Sequence, residues 1–578
     1  MRKRAVPILC LLTLLLSLVP SRPAAAWDTS CPASLVLVGV NTEKKPIPLY
    51  SAASPHSQAL AHIPAGKRCE ILGRSGAYYR AVYEGQTGFV SKKLIALQGK
   101  AASAELPAIT EGQLSLQDPI PRQANGKRIT LRGTLRASRP IEEIQAFLWD
   151  ERLMRADKAY LISFSAPRKT IDAASLQAQL PLNGVSAGRK ALVLQAVSGG
   201  KPYAVFRTVL SIRGDVPEPA HITGKCAVSS GDVIDDSRKT VWQPTMEHPS
   251  LIVRIPAGAR PSLCTMTWRN RPKAVTVECF GENDQLLERQ TLSTGFYQDH
   301  AALTEDVRKI VITPEGGKGA MSALRVYGPR YDRLSVQQWE PLPDRTDLLF
   351  FSTHQDDEWL FFGGAIPYYC HRGAKVAVVY AVNCGRSRYQ EALDGLWAAG
   401  LPYHPVFLGW HNFKSSTLQG ALNDWKKRNG DVLRKLVRTL RRCRPSVVVT
   451  QDFKGEYGHP QHQATAALMK KAILLAADES YDPASVKSMG TWQIQKMYVH
   501  LYKENAITMN WNAPLEEGGV ITPLFLAKEA FDRHQSQHKG FSMETTANQY
   551  DCRLFGLYYS AVGPDVNKND FLENVRPE

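Results

Sequence analysis

The stretch Thr353-His354-Gln355-Asp356-Asp357-Glu358 follows the apolar run Leu348-Leu349-Phe350-Phe351 and precedes Trp359-Leu360-Phe361-Phe362-Gly363-Gly364. An apolar run that breaks into charge and then resumes predicts a buried strand, a turn and a helix. In an open α/β sheet the carboxyl ends of the strands are where ligands bind, so a His and two adjacent Asp stand where chemistry is done. Imidazole nitrogen and carboxylate oxygen both suit a borderline cation such as zinc. Neighbouring side chains point in different directions, so Asp356 and Asp357 need not share a task. One can hold metal while the other faces the water on it.

A second cluster, Gly458-His459-Pro460-Gln461-His462, also comes after an apolar β-branched run, Val447-Val448-Val449-Thr450. Two strand ends of one parallel sheet can meet above it. His354, Asp357 and His462 would then supply three protein ligands and leave a fourth position for water, the arrangement of a catalytic zinc with one ion per chain.

These blocks resemble the PIG-L (LmbE-like) family of zinc-dependent N-deacetylases. The family's His-Pro-Asp-Asp-Glu motif, followed by a helix with Gly-Gly, is similar to His354-Gln355-Asp356-Asp357-Glu358 with Gly363-Gly364, and its Gly-His-Pro-Asp-His motif to Gly458-His459-Pro460-Gln461-His462. Two weaker blocks are similar to Arg388-Tyr389-Gln390-Glu391 through Gly400-Leu401 and to Lys528, Ala530, His534, Ser536 and Gln537. The resemblance covers residues 344–578 and implies metal binding by His354, Asp357 and His462. It makes Asp356 the general base and gives His459 the task of polarising the developing oxyanion. Arg388 either contacts substrate or forms a structural salt bridge with Glu391 or another carboxylate. Gln355 replaces a proline, and Gln461 replaces an acidic or amide residue that in the family orients and tunes the neighbouring histidine; a Gln cannot raise histidine basicity as a carboxylate does.

The chain has 578 residues, 44% hydrophobic and 22% charged, which predicts a multidomain globular protein. Met1-Arg2-Lys3-Arg4, the apolar Ile8 to Val19 and Ala24-Ala25-Ala26 read as a secretory leader, residues 1–26, too short in its apolar part to span a bilayer. No later run is long enough, so no transmembrane helix is expected after cleavage. The expected location is extracytoplasmic, secreted and associated with the cell envelope. The net charge of +17 includes Arg2, Lys3, Arg4 and Arg22, so the cleaved chain would carry 17 − 4 = +13, which points to wall polymers or lipid headgroups rather than nucleic acid. Ten cysteines, with Cys10 inside the leader, leave an odd number. Cys31 can bridge Cys69, and Cys226 can bridge Cys264 or Cys279, although spacing alone does not decide pairing.

Residues 27–100 alternate short β-rich runs with Gly turns and predict a small barrel; the order resembles bacterial SH3-like domains, which implies binding to cell-wall peptides or partner proteins. Residues 106–216 read as a β-sandwich of immunoglobulin-like character. Residues 219–330 carry Ser229-Ser230-Gly231-Asp232-Val233-Ile234-Asp235-Asp236 and then Trp242, similar to a discoidin or galactose-binding-like jelly roll. That resemblance implies a Ca2+-stabilised turn and glycan contact, against plain turn chemistry for the Asp cluster and core positions for Trp242 and Trp268. From 344 to 578 strands and helices alternate, predicting a Rossmann-like three-layer α/β domain. GxxxxGK[ST], GxGxxG and HExxH are absent.

The sequence thus predicts an exported metal-dependent hydrolase that removes N-acetyl groups from N-acetylhexosamine-containing glycans. Its N-terminal β-domains would hold an envelope polymer. The alternative, motivated by Gln461, is a glycan- or cell-wall-binding protein that keeps the deacetylase fold with weakened or lost turnover.

Overall fold

The computed structural model describes residues 34–102, 114–116, 123–124, 128–150, 155–183, 185, 188–212, 222–235, 240–317, 319–329, 331, 336–515, 521–537, 541, 543 and 549–576. Residues 1–26, expected to be a leader, and Cys31 lie outside them. The chain is multidomain, β-rich in its first half and α/β in its second, and falls into two compact units. No helix among the described residues is long and apolar enough to cross a membrane.

The first unit is built of antiparallel strands. Ser34–Asn41 pairs with both Arg68–Ser75 and Ile95–Ala102, and among the described residues the sheet continues through the pairing of Gly99 with Ala156 into the long strands Arg128–Asp150 and Arg155–Ile171. Gly99 is required there, because a Cβ would lie 2.5 Å from the Phe147 ring.

In the second unit, residues 222–329 form a five-stranded and a three-stranded antiparallel sheet around one core. Trp242 and Trp268 are both buried in it, so neither is a sugar platform. Asp232 accepts the Ser230 hydroxyl and Asp235 the Thr240 hydroxyl, which is turn chemistry; Asp236 lies outside the described residues, and nothing in the described turn favours calcium. All eight cysteines among the described residues are free thiols, including Cys226, Cys264 and Cys279, so the bridge expected among these three is not formed.

Asp299 accepts the indole N–H of Trp268 at 2.8 Å and the Thr294 hydroxyl, and burial pushes its carboxyl up to about 6. A carboxyl raised in the folded state gives stability that is complete at low pH and is lost as pH rises from about 4 to about 6. The wild-type melting temperature should therefore fall across this window relative to Asp299→Asn, by the equivalent of roughly 2–3 kcal/mol. Parallel melting curves for the two proteins would remove the assignment.

The remainder of the second unit is a seven-stranded sheet. It contains β1 (Thr346–Ser352), β2 (Val376–Val382), β3 (Val406–Trp410), β4 (Pro445–Thr450), β5 (Lys496–His500), β6 (Ala506–Thr508) and β7 (Leu554–Ser560) in the order 3-2-1-4-5-7-6. The first five are parallel, while β7 runs antiparallel to β5 and β6. A parallel sheet is covered on both faces, so its strands are apolar throughout instead of alternating. Leu348 and Phe350 of β1 enter one core and Leu349 and Phe351 the other. Helices α1 (Asp357–Phe362), α2 (Ala365–His371), α3 (Arg386–Ala398), α4 (Leu418–Asn429), α5 (Val432–Cys443), α6 (Pro460–Ala477), α7 (Pro483–Met489) and α8 (Pro523–Phe531) complete the domain. Between α1 and α2, Gly363 has φ +56° and a Cβ there would lie 2.6 Å from Cys552 Sγ, so only glycine fits.

Candidate metal and catalytic site

β1 and β4 are hydrogen-bonded neighbours running in parallel, so the loops that leave their carboxyl ends meet. The first loop carries His354, Asp356 and Asp357; the second carries Glu456, His459 and, in the first turn of α6, His462. His354 Nδ1 is 3.0 Å from Asp357 Oδ2 and 3.1 Å from His462 Nε2, and His462 Nε2 is 3.3 Å from Asp357 Oδ2. Tetrahedral metal bonds of about 2.0–2.2 Å place their ligand atoms roughly 3.3–3.6 Å apart. These three atoms therefore fit one small divalent ion. Ring nitrogens of His354, His459 and His462 also cluster, but only within 4.8 Å. The Asp357 set has separations of 3.0–3.3 Å, close to a tetrahedral edge, and His459 stands beside it.

Each ligand atom is fixed by a second contact. His354 Nε2 donates to Gln461 Oε1 at 3.2 Å, which leaves Nδ1 with its lone pair facing the centre. His462 Nδ1 donates to Glu456 Oε2 at 2.8 Å, which leaves Nε2 free to ligate. The other oxygen of Glu456 accepts from His500 Nδ1 at 2.7 Å, and His500 Nε2 reaches the Asp551 carbonyl at 3.1 Å. Asp357 Oδ2 accepts the His354 backbone N–H at 2.7 Å and Gln451 Nε2 at 3.1 Å. The carboxylate that tunes His462 is thus Glu456, and Gln461 serves the other imidazole. The expected loss of histidine tuning through Gln461 does not apply to His462.

The charges follow. Burial alone would raise Asp357, but the His462 and His354 rings outweigh it and hold the carboxyl well below its usual range. Burial alone would lower His462, but Asp357 and Glu456 raise it to about 10. A pocket that holds a proton this firmly holds a cation in its place. Glu456→Gln should weaken metal binding about 10- to 100-fold, read by competition with a chelator. Unchanged affinity would confine Glu456 to folding.

Asp356, next to the ligand Asp357 in the first loop, has a strained backbone, φ +143°. Its N–H donates to Glu358 Oε2 at 2.9 Å, and Glu358 Oε1 accepts the Tyr380 hydroxyl at 2.5 Å. Burial, and then the Asp357 charge, raise Asp356 well above the usual carboxylate range, while Arg388 opposes them. Arg388 Nη2 bonds Asp356 Oδ1 at 2.6 Å and its guanidinium also grips the Gln355 carbonyl; Glu391 is 3.9 Å away. Arg388 thus forms a short salt bridge with Asp356 and a long one with Glu391. His459 Nδ1 is buried without a hydrogen-bond partner among the described residues, and burial followed by its histidine neighbours pushes the ring down to about 3. It is a neutral imidazole with an unspent polar atom.

Sequence reading missed Glu456, His500, Gln451 and the Glu358–Tyr380 pair. Glu456 and Gln451 carried a signal, since both lie between the β4 run and the Gly458 block, but what they touch is set by the sheet.

Residues 349–473 match the PIG-L family, described as GlcNAc-PI de-N-acetylase. Over 178 residues the chain is 28% identical to a 1D-myo-inositol 2-acetamido-2-deoxy-alpha-D-glucopyranoside deacetylase of Thermobispora bispora, covering 26% of this chain and 57% of that protein. Over 206 residues it is 34% identical to a deacetylase of the same description from Frankia casuarinae, covering 30% and 66%. The chain thus spans less than two thirds of the length of these relatives. An N,N'-diacetylchitobiose deacetylase from Pyrococcus horikoshii aligns with TM-score 0.26 and 15% identity over 34% of this chain and 70% of that one.

Proposed function

We propose, from the premise that residues 349–473 are a PIG-L family domain, that this chain is a metal-dependent hydrolase removing N-acetyl groups from N-acetylhexosamine-containing glycans. The observation that carries the reading is the meeting of three ligand atoms 3.0–3.3 Å apart with a separate, Arg-anchored carboxyl, Asp356, on the same loop. His354, Asp357 and His462 would hold the ion, for which zinc is the proposal. Zinc supplies Lewis acidity and lowers the pKa of a coordinated water to about 7.

The residues do the rest. Arg388 holds Asp356 by Oδ1, and no partner for Oδ2 is found among the described residues, so that oxygen is the proton acceptor. A carboxyl raised above its usual range is a better base near neutral pH than an ordinary aspartate, and it returns the proton to the leaving amine. His459, neutral and with a buried nitrogen unpaired, is placed to donate toward an oxyanion that forms beside the three ligands. Glu358 and Tyr380 fix the strained Asp356 backbone.

The finer reading adds export through the leader, an envelope location, and envelope-polymer binding by an SH3-like barrel, an immunoglobulin-like sandwich and a galactose-binding-like jelly roll preceding a Rossmann-like domain. Loss of residues 1–26, with Arg2, Lys3, Arg4 and Arg22, would leave a net charge of 17 − 4 = +13, which supports polymeric anionic surroundings over a cytosolic metabolite. Acetate release from N-acetylglucosamine, chitooligosaccharides and peptidoglycan, with metal stoichiometry, tests the activity. Bound metal with no acetate from any of them would favour the glycan-binding reading.

A further inference from the structure

We propose that the rim of this site carries a stacking subsite for a second sugar, formed by Phe413 with the ring of His411, so that the substrate is a chain of at least two pyranose units; the inference rests on the deacetylase reading above. Among the described residues the aromatic rings left exposed are Phe413 at 44%, Tyr457 at 46% and Phe541 at 40%. All three lie around this one site. Tyr457 is 5.6 Å from the His459 ring and 6.3 Å from Phe541. Phe413 stands on another side, in the loop that leaves the carboxyl end of β3.

That loop is tied to the metal ligands. Gln461 accepts from His354 Nε2 at 3.2 Å and donates to the His411 carbonyl at 3.2 Å, so a single carboxamide separates the ligand ring from the His411 backbone. The His411 ring is fixed too: Nδ1 donates to Asp424 Oδ2 at 2.8 Å, and Arg428 holds the other oxygen of Asp424 at 3.1 Å. Nε2 is therefore left to accept from a sugar hydroxyl, on a side chain 37% exposed. The Phe413 ring is stacked on the His411 ring at 19° with centroids 6.0 Å apart, and Phe413 is the exposed ring that offers the pair's surface. Aromatic rings are costly to leave in water, and a pyranose ring with equatorial substituents offers a flat C–H face of matching size. A single N-acetylhexosamine, seated with its amide over the ligands, would leave this surface bare. A neighbouring residue of the same chain would cover it.

Acetate release by the zinc-loaded full chain is compared for N-acetylglucosamine and chitotriose, with wild type, Phe413→Ala and Phe413→Trp. The expected result is a preference for chitotriose in kcat/KM that falls about five- to tenfold in Phe413→Ala, through KM and not kcat, and returns in Phe413→Trp. An equal fall on both sugars, or no fall, overturns the subsite. If wild type releases acetate from neither sugar, the deacetylase reading fails and calorimetric titration with chitotriose decides this one. Binding that weakens five- to tenfold in Phe413→Ala upholds the subsite; equal binding to both proteins, or none, overturns it.

Discussion

His462→Ala should yield a folded chain that retains no metal and releases no acetate. The ring fills the gap between Asp357 and Glu456, and its Nε2 is one of three atoms placed for the ion. Removing it leaves two ligands, too few to hold zinc against water. Glu456 keeps His500 as a partner at 2.7 Å, so the loss does not strand a bare buried carboxylate and the fold should survive. Metal stoichiometry and far-ultraviolet circular dichroism read the two halves of the prediction separately. Full metal content in His462→Ala would move the site onto other residues.

Asp356→Asn should keep the metal and lose about 10²- to 10⁴-fold in kcat, the span assigned to a positioned general base. The substitution is nearly isosteric, and Oδ1 can still accept from Arg388. The proton acceptor alone is removed. Because Asp356 is none of the three proposed ligands, metal content separates its role from theirs. A fall in kcat accompanied by metal loss would show that Asp356 acts through the site's assembly and not on the proton.

Much of the site was legible because adjacency in a parallel sheet is predictable from two apolar runs. β1 and β4 read as buried strands, each followed by charge, and neighbouring strand ends bring His354, Asp357 and His462 together. What escaped depends on contacts far apart in the chain. Glu456 orients His462 and also reaches His500, 44 residues away, and no periodicity encodes that pairing. The backbone of Asp356, at φ +143°, is likewise invisible in a sequence, since nothing about aspartate announces strain. Arg388 was legible as important, but its choice of Asp356 over Glu391 is a matter of where α3 begins relative to the first loop. In the first half of the chain, runs such as Arg128-Ile129-Thr130 signalled strands. The pairing of Gly99 with Ala156, which joins two groups of strands into one sheet among the described residues, leaves no local mark.

The account stands on one ion shared by the two loops, and locating that ion is its most direct test. An anomalous difference map from crystals grown with zinc should show one peak at about 2.0–2.2 Å from His354 Nδ1, an Asp357 carboxylate oxygen and His462 Nε2. A peak bound by His459 in place of Asp357, or no peak between the two loops, would contradict it.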